Sequence, residues 1–213
     1  ILIEFRQTYI GPAIRQYGNM LRASDCPLDA IKNRVDTANL RLTSGKTPVH
    51  SDMMMWNTSD SAENAAVQLA ASLFAVPQVS VLLDELSESH RKTLKFYLGF
   101  WRRYREVLLD GEFRASNPES MYSSLTSILN GIAVTVRFTD PVLRITENTL
   151  IAVNAGFLKC FLICGGSGMN FRVVDCMGQT MTQGTVCGAA AEIAVPRGGM
   201  LKVTELISPD ESF

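Results

Sequence analysis

The sequence predicts a mixed fold in which an α/β segment is followed by an all-β segment. Up to about residue 115, strand-like runs alternate with helical ones, which indicates parallel strands joined by crossover helices. Beyond Pro118 the helical periodicity ends, and short runs separated by turn residues are typical of antiparallel strands. We therefore predict the second half of a (β/α)8 TIM barrel over residues 1–115 and an antiparallel β-sandwich over residues 116–213.

Four strand-like runs lie in the first segment, at residues 1–7, 18–23, 47–52 and 76–82. Four βα units are too few for a closed barrel, which needs about 250 residues. The chain opens directly on a strand, so we expect it to be a piece of a larger protein. An open half-barrel would expose apolar strand edges, and we expect either a homo-oligomer or an ordered upstream segment to cover them.

The first helical pattern follows the second strand. Asp25 or Cys26 is predicted to cap it, with Pro27 in its first turn, where the missing N–H of proline costs least. Apolar residues at spacings of three and four then continue the helix as far as Leu42.

Two further helical patterns separate and follow the remaining strands. Asp60 and Glu63 predict an aspartate variant of the capping box before the second helix. Ser87 opens a long third helix, and Gly111 follows its end. The basic cluster at residues 101–105 lies within this helix beside acidic neighbours, so we interpret it as a solvated face.

The segment after Pro118 is predicted to contain short strands only. Apolar residues alternate there with polar ones, and turns rich in glycine, asparagine and proline separate the runs. The predicted strands cover residues 150–153, 157–164, 171–175, 191–195 and 201–206.

Composition excludes several classes of protein. A hydrophobic content of 46% is enough for a core, which excludes wholesale disorder. The 20 Lys and Arg residues are balanced by 21 Asp and Glu residues, and the sequence has no long basic stretch. Nucleic acid is therefore not an expected partner. No apolar run approaches the roughly 20 residues of a membrane span, and no signal peptide is recognised at residue 1.

The five cysteines are an odd number and form no CxxC pair. Cys160 and Cys164 are spaced four residues apart in an apolar run, with only His50 and His90 as further ligands, which disfavours zinc. We expect buried free thiols in a reducing, cytoplasmic compartment. Neither GxGxxG nor a P-loop is present, and no metal or cofactor is predicted.

Polar residues stand where the predicted parallel strands end, at the edge of a barrel that carries function. These candidates are Arg6, Gln7, Arg22, Asp25, His50 and Asp52, followed on the fourth strand by the stretch that leads to Asp84. We expect Arg6, Gln7, Arg22, His50 and Asp52 to contact the substrate. A carboxylate beside an arginine, without a cofactor motif, suggests glycoside hydrolysis and an oligosaccharide substrate.

Other interpretations of these residues stay open. Asp25 could be only a helix cap, and Arg22 could simply pair with it. His50 and Asp52, two residues apart on one strand face, lack a third metal ligand, which favours a structural histidine. His50, Ser51 and Asp52 cannot form a hydrolytic triad, because adjacent strand residues point to opposite faces. The glycine-rich run at residues 165–168 does not match a nucleophile elbow.

Two groups of motifs carry a resemblance to a known family. They are residues 1–4, Met20-Leu21-Arg22-Ala23-Ser24-Asp25 and Asp29 before a basic helix, then residues 74–78, 83–86 and 104–113. In this order they resemble the fifth, sixth and eighth strands, last helix and exit of the barrel of glycoside hydrolase family 36. That family comprises retaining α-galactosidases, or melibiases, and the β-rich tail is similar to its C-terminal domain.

The resemblance implies a role for several residues. Asp25 matches the acid/base carboxylate, and Arg22 stands where relatives place a residue that contacts the sugar. Arg6 and Gln7 fall where many members carry a Cys- and Gly-rich sugar-binding loop, which this chain lacks. The family's nucleophilic aspartate lies on the fourth strand, upstream of residue 1, so the chain alone is expected to be inactive.

The alternative function is a non-catalytic carbohydrate-binding or interaction module that uses the β segment for glycan contact. No tryptophan occurs after residue 115, and several aromatic residues there alternate with apolar neighbours, which is typical of a core. A short α/β hydrolase is a third possibility, disfavoured by the missing nucleophile motif.

Overall fold

A computed structural model describes residues 1–5, 11–24 and 27–205 of the chain. The described residues form a mixed α/β structure with three sheets and three α-helices. The first sheet contains β1 (Glu4–Phe5), β2 (Met20–Arg22), β3 (Val49–Met54) and β4 (Val76–Val79). The helices are α1 (Ala30–Ser44), α2 (Ala62–Ala71) and α3 (Glu88–Asp110).

The first sheet has the order β1-β2-β3-β4, and every neighbouring pair is parallel. The predicted parallel pairing is thus confirmed. Helix α1 connects β2 to β3, α2 connects β3 to β4, and α1 contacts α2, which contacts α3. Strand order therefore follows chain order through all four strands.

The start of α1 differs from the prediction. Asp29, rather than Asp25 or Cys26, is the N-cap, and its side chain accepts hydrogen bonds from the backbone N–H groups of Ile31 (2.8 Å) and Lys32 (2.9 Å). Pro27 precedes the helix instead of occupying its first turn. Asp29 is the cap because its carboxylate reaches two N–H groups of the first turn that would otherwise be unpaired.

Replacing Asp29 with alanine is expected to lower the free energy of unfolding by about 1 kcal/mol, because both capped N–H groups lose their acceptor. Asp36→Ala in the same helix is the matched control. Its carboxylate only pairs with the exposed Lys32 at 2.5 Å, which predicts a loss of roughly 0.5 kcal/mol or less. Urea unfolding of both variants checks this, and equal losses would contradict the cap assignment.

The predicted N-cap of α2 was wrong, and the predicted N-cap of α3 is confirmed. Ser61 caps α2 by accepting from the N–H of Asn64 at 3.3 Å, whereas Asp60 accepts from Asn57 in the preceding turn. Ser87 caps α3, and Gly111 follows its last residue.

The β-rich segment is larger than predicted. Its strands are β5 (Glu112–Ser116), β6 (Ser124–Leu129), β7 (Ile132–Arg137), β8 (Val142–Arg144), β9 (Thr149–Asn154), β10 (Cys160–Cys164), β11 (Asn170–Val174), β12 (Thr180–Thr185), β13 (Ala190–Ala194) and β14 (Met200–Thr204). They form a seven-stranded sheet, β12-β11-β14-β9-β7-β6-β5, and a three-stranded sheet, β13-β10-β8. Pairing is not wholly antiparallel, because β7–β9 and β8–β10 are parallel pairs.

One hydrophobic core joins the helices to the seven-stranded sheet. It includes Phe74 after α2, Phe100 of α3, Leu125 of β6 and Ile151 of β9, each fully or almost fully buried. A second core cluster contains residues of both β-sheets, such as Phe161 of β10. Helix α3 therefore packs between α2 and the seven-stranded sheet, which ties the two segments together.

The described cysteines are free thiols, as predicted, but they are not all buried. Cys187 is exposed, Cys160 and Cys164 are half-buried, and burial raises the pKa of Cys176 to about 11. Cys26 lies outside the described residues. The helices in the described ranges include none that combines the length and apolar character needed to cross a membrane.

Candidate functional site

The candidate site lies on one face of the first sheet, where β1, β2 and β3 are neighbours. Glu4 is opposite Met20 in the register of β1 and β2, and Arg22 is opposite His50 in that of β2 and β3. Because side chains alternate along a strand, Glu4, Arg22 and His50 share a face. Polar side chains from three consecutive strands, two of them charged, thus lie on one face of the sheet.

Two carboxylates approach the guanidinium of Arg22. Its Nε lies 3.3 Å from Oε1 of Glu4, and its Nη1 lies 3.4 Å from Oδ1 of Asp52. The other oxygen of Glu4 lies 3.5 Å from Nδ1 of His50. The exposed fraction of the side chain is 27% for Glu4, 14% for Arg22 and His50, and 1% for Asp52.

The opposite face of the same strands is apolar. Leu21 of β2 and Val49 of β3 are buried there with Leu40 of α1 and with Ala75. The sheet is therefore two-sided, with the helix on the apolar side and the charged groups on the other. This alternation fixes which side chains of β2 and β3 are available to a ligand.

A β-bulge in β3 contains Asp52 and sets the direction of its side chain. His50 is opposite Val76 and Met53 is opposite Gln78, so three steps on β3 match two on β4. Asp52 has a positive φ of 64°, in the left-handed region that residues other than glycine seldom occupy. Without the extra residue, Val49 and Met54 would face opposite sides, whereas both are buried on the helical side.

Ser51 stabilises this bulge. Its hydroxyl accepts the N–H of Gln78 at 3.0 Å and donates to the carbonyl oxygen of Asp52 at 3.0 Å. The hydroxyl thus fills the gap in the ladder between β3 and β4. Both contacts are to backbone atoms, which agrees with rejecting His50, Ser51 and Asp52 as a catalytic triad.

The structure brings three predicted site residues together, namely Arg22, His50 and Asp52. Regular alternation predicted His50 and Asp52 on one face, but the bulge departs from that alternation at Asp52. Arg6, Gln7 and Asp25 lie outside the described residues.

Sequence reasoning missed Glu4 as a site residue. A charged side chain inside the apolar run at residues 1–5 was the available signal, since burying a charge requires a partner. Its carboxylate contacts both Arg22 and His50, and so links the residues of neighbouring strands.

The cluster suits a polyhydroxylated ligand. A guanidinium offers several N–H donors in a planar fork, and carboxylates accept hydroxyl protons. Within the described ranges, no group of three or more His, Cys, Asp and Glu side chains could hold a metal ion.

Comparison with protein families and with curated sequences does not identify the chain. No protein-family model matches the chain, and no curated protein matches it in sequence.

Proposed function

We propose that the chain is part of a retaining α-galactosidase of the family 36 type. In this proposal it contributes the second half of a (β/α)8 barrel and a C-terminal β-sandwich. The substrates are terminal α-galactosides of melibiose- and raffinose-type oligosaccharides, in a cytoplasmic enzyme. Asp25 is the general acid/base, and the nucleophilic aspartate belongs to the protein upstream of residue 1.

The cluster of Glu4, Arg22, His50 and Asp52 is the observation that carries this proposal. It stands at neighbouring parallel strands, on the face away from α1, and Asp25 follows Arg22 by three residues. In a (β/α)8 barrel the functional groups come from the carboxyl ends of such strands.

The strand order supports the barrel over other parallel folds. In a doubly wound sheet the order reverses at the point where ligands bind. Here β1 to β4 follow chain order without reversal, and each helix contacts the next one. Both features are typical of consecutive βα units around a barrel.

The proposed chemistry assigns one task to each residue. Asp25 protonates the glycosidic oxygen as the bond to the anomeric carbon breaks, while the upstream aspartate forms the glycosyl-enzyme. Asp25 then removes a proton from the water that attacks this intermediate. Arg22 donates to a hydroxyl of the galactose ring and so fixes its orientation.

The test uses the complete enzyme, meaning the protein that joins this chain to the segment with the nucleophile. We expect hydrolysis of melibiose and raffinose, with proton NMR showing α-galactose as the first product. β-Galactosides and α-glucosides serve as control substrates. No turnover of α-galactosides, or β-galactose as the first product, would overturn the proposal.

Arg22→Lys in the complete enzyme is expected to lower kcat/KM for melibiose roughly 10- to 100-fold, because a point charge replaces a planar fork of donors. Arg114→Lys is the matched control, since Arg114 also contacts a carboxylate, that of Glu112, but is 60% exposed on β5. Steady-state kinetics of both variants check this. Unchanged kinetics for Arg22→Lys would exclude Arg22 from the sugar site.

One observation favours the alternative of a carbohydrate-binding module. Phe157, one of the aromatic residues of the β-rich segment, is 86% exposed, and the guanidinium of Arg197 lies 4.4 Å from its ring centroid. An exposed aromatic ring provides a surface on which a sugar can stack. Binding of α-galactosides without hydrolysis in the assay above would favour this alternative.

A further inference from the structure

We infer that Asp52 is a positioning residue, which together with Glu4 holds the guanidinium of Arg22 in the orientation that a sugar hydroxyl requires. The inference rests on the proposed function, because it concerns the same site. It assigns Asp52 a role through Arg22, whereas the sequence predicted direct contact with substrate.

The two carboxylates approach different nitrogens of one guanidinium. Glu4 lies beside Nε at 3.3 Å and Asp52 beside Nη1 at 3.4 Å. A long side chain held at two of its three nitrogens loses most of its rotational freedom. Arg22 is therefore positioned before a ligand binds, which avoids part of the ordering cost on binding.

Burial separates the roles of the two residues. The side chain of Asp52 is 1% exposed, whereas that of Arg22 is 14% exposed. A ligand entering from solvent can reach Arg22 but not Asp52. The influence of Asp52 on a bound sugar must therefore pass through the guanidinium.

The carboxylate of Asp52 is costly in this position without a counter-charge. Neither of its oxygens has a hydrogen-bond partner among the described residues, so Arg22 is the compensating charge that the structure shows. A buried carboxylate that depends on one cation in turn restrains that cation.

The backbone at Asp52 points to the same role. A non-glycine residue with φ of 64° is strained, and such strain persists only where the surroundings impose it. The Ser51 hydroxyl imposes it here through Gln78 and the Asp52 carbonyl. The bulge gives the carboxylate its approach to Arg22 while keeping Met54 in the core.

Asp52→Asn is the test substitution, because asparagine tolerates positive φ and keeps the side-chain shape while removing the charge. In the complete enzyme we expect kcat/KM for melibiose to fall roughly 10-fold or more, as for a charge-assisted contact that is lost. Asp140→Asn is the matched control, since it removes an Arg–Asp pair of 2.8 Å between Arg137 and Asp140 in the β-rich segment. This control should leave kcat/KM unchanged.

A double-mutant cycle distinguishes positioning from a general loss of stability. If Asp52 acts through Arg22, adding Asp52→Asn to Arg22→Lys should lower kcat/KM less than twofold further. The two single variants should also resemble each other in how the loss of kcat/KM divides between a higher KM and a lower kcat. Multiplicative effects of the two substitutions would overturn the inference.

Crystal structures of the wild type and of Asp52→Asn separate this inference from the proposed function. We expect the Arg22 guanidinium to move away from residue 52 or to lose its order in the variant, while Arg137 keeps its place. An unmoved Arg22 overturns the positioning role even if the enzyme is active. An inactive wild type overturns the proposed function, and the crystallographic comparison still decides the role of Asp52.

Discussion

Replacing Phe100 with alanine is expected to lower the free energy of unfolding by about 3–5 kcal/mol. Phe100 is 1% exposed and lies on α3, in the core shared by the helices and the seven-stranded sheet. Truncation removes its apolar contacts and leaves a cavity that close-packed neighbours fill only in part. Urea unfolding followed by circular dichroism measures the loss.

Phe157→Ala is the matched control, because it removes the same side chain from a position that is 86% exposed. Its ring contacts the guanidinium of Arg197, which predicts a loss of about 1 kcal/mol or less. Similar losses for the two variants would contradict the assignment of Phe100 to the core.

The shared core also predicts how the chain unfolds. Tyr97 and Phe100 of α3 lie in one cluster with Leu125 and Val134 of the seven-stranded sheet. A helix packed between both segments couples their unfolding, so Phe100→Ala should shift one cooperative transition. A β-rich unit that keeps its own midpoint in the variant would contradict this coupling.

The first sheet was predictable because its signals are local and repeated. Apolar runs separated by helical periodicity indicate parallel strands, and chain order then predicts the neighbours. The N-caps of α1 and α2 were harder to predict, because each helix start has more than one suitable cap residue within a few positions. These residues are Asp25 and Asp29 for α1, and Asp60 and Ser61 for α2. Only the three-dimensional position of a carboxylate or hydroxyl relative to the first N–H groups decides among them.

The β-rich segment shows two reasons for missed strands. All residues of β12 are exposed, so no apolar alternation marks it. The hairpin of β6 and β7, in contrast, carried a strong signal that was overlooked, since Asn130 and Gly131 both have positive φ at its turn. Asn-Gly between apolar runs favours this kind of tight turn.

Part of the candidate site was predictable, because the carboxyl ends of neighbouring parallel strands lie at the same edge of a sheet. Arg22 and His50 are neighbours because they occupy paired positions on adjacent parallel strands. The position of Asp52 was not predictable from strand alternation, because a bulge changes the direction of its side chain. The sequence itself does not mark this bulge, because Met53 and Met54 are both apolar and either could be the buried residue.

Replacing Asp25 with alanine in the complete enzyme is expected to lower kcat/KM for melibiose and raffinose roughly 10²- to 10⁴-fold. These substrates have poor leaving groups, so the first step needs a proton from the general acid. Dinitrophenyl α-galactoside is the activated substrate, because its dinitrophenolate leaving group departs without a proton. The variant should therefore retain much of the wild-type first-step rate on this substrate. Azide should accelerate the second step, because this anion attacks the glycosyl-enzyme without a general base.

Asp110→Ala is the control for this prediction, since it removes an exposed aspartate at the end of α3, which no candidate site includes. Its kinetics should equal those of the wild type for both classes of substrate. The ratio between natural and activated substrates is the decisive measurement, because instability lowers both rates alike, whereas a missing acid lowers only one. If Asp25→Ala hydrolyses raffinose like the wild type, Asp25 is not the acid/base and another carboxylate has that role.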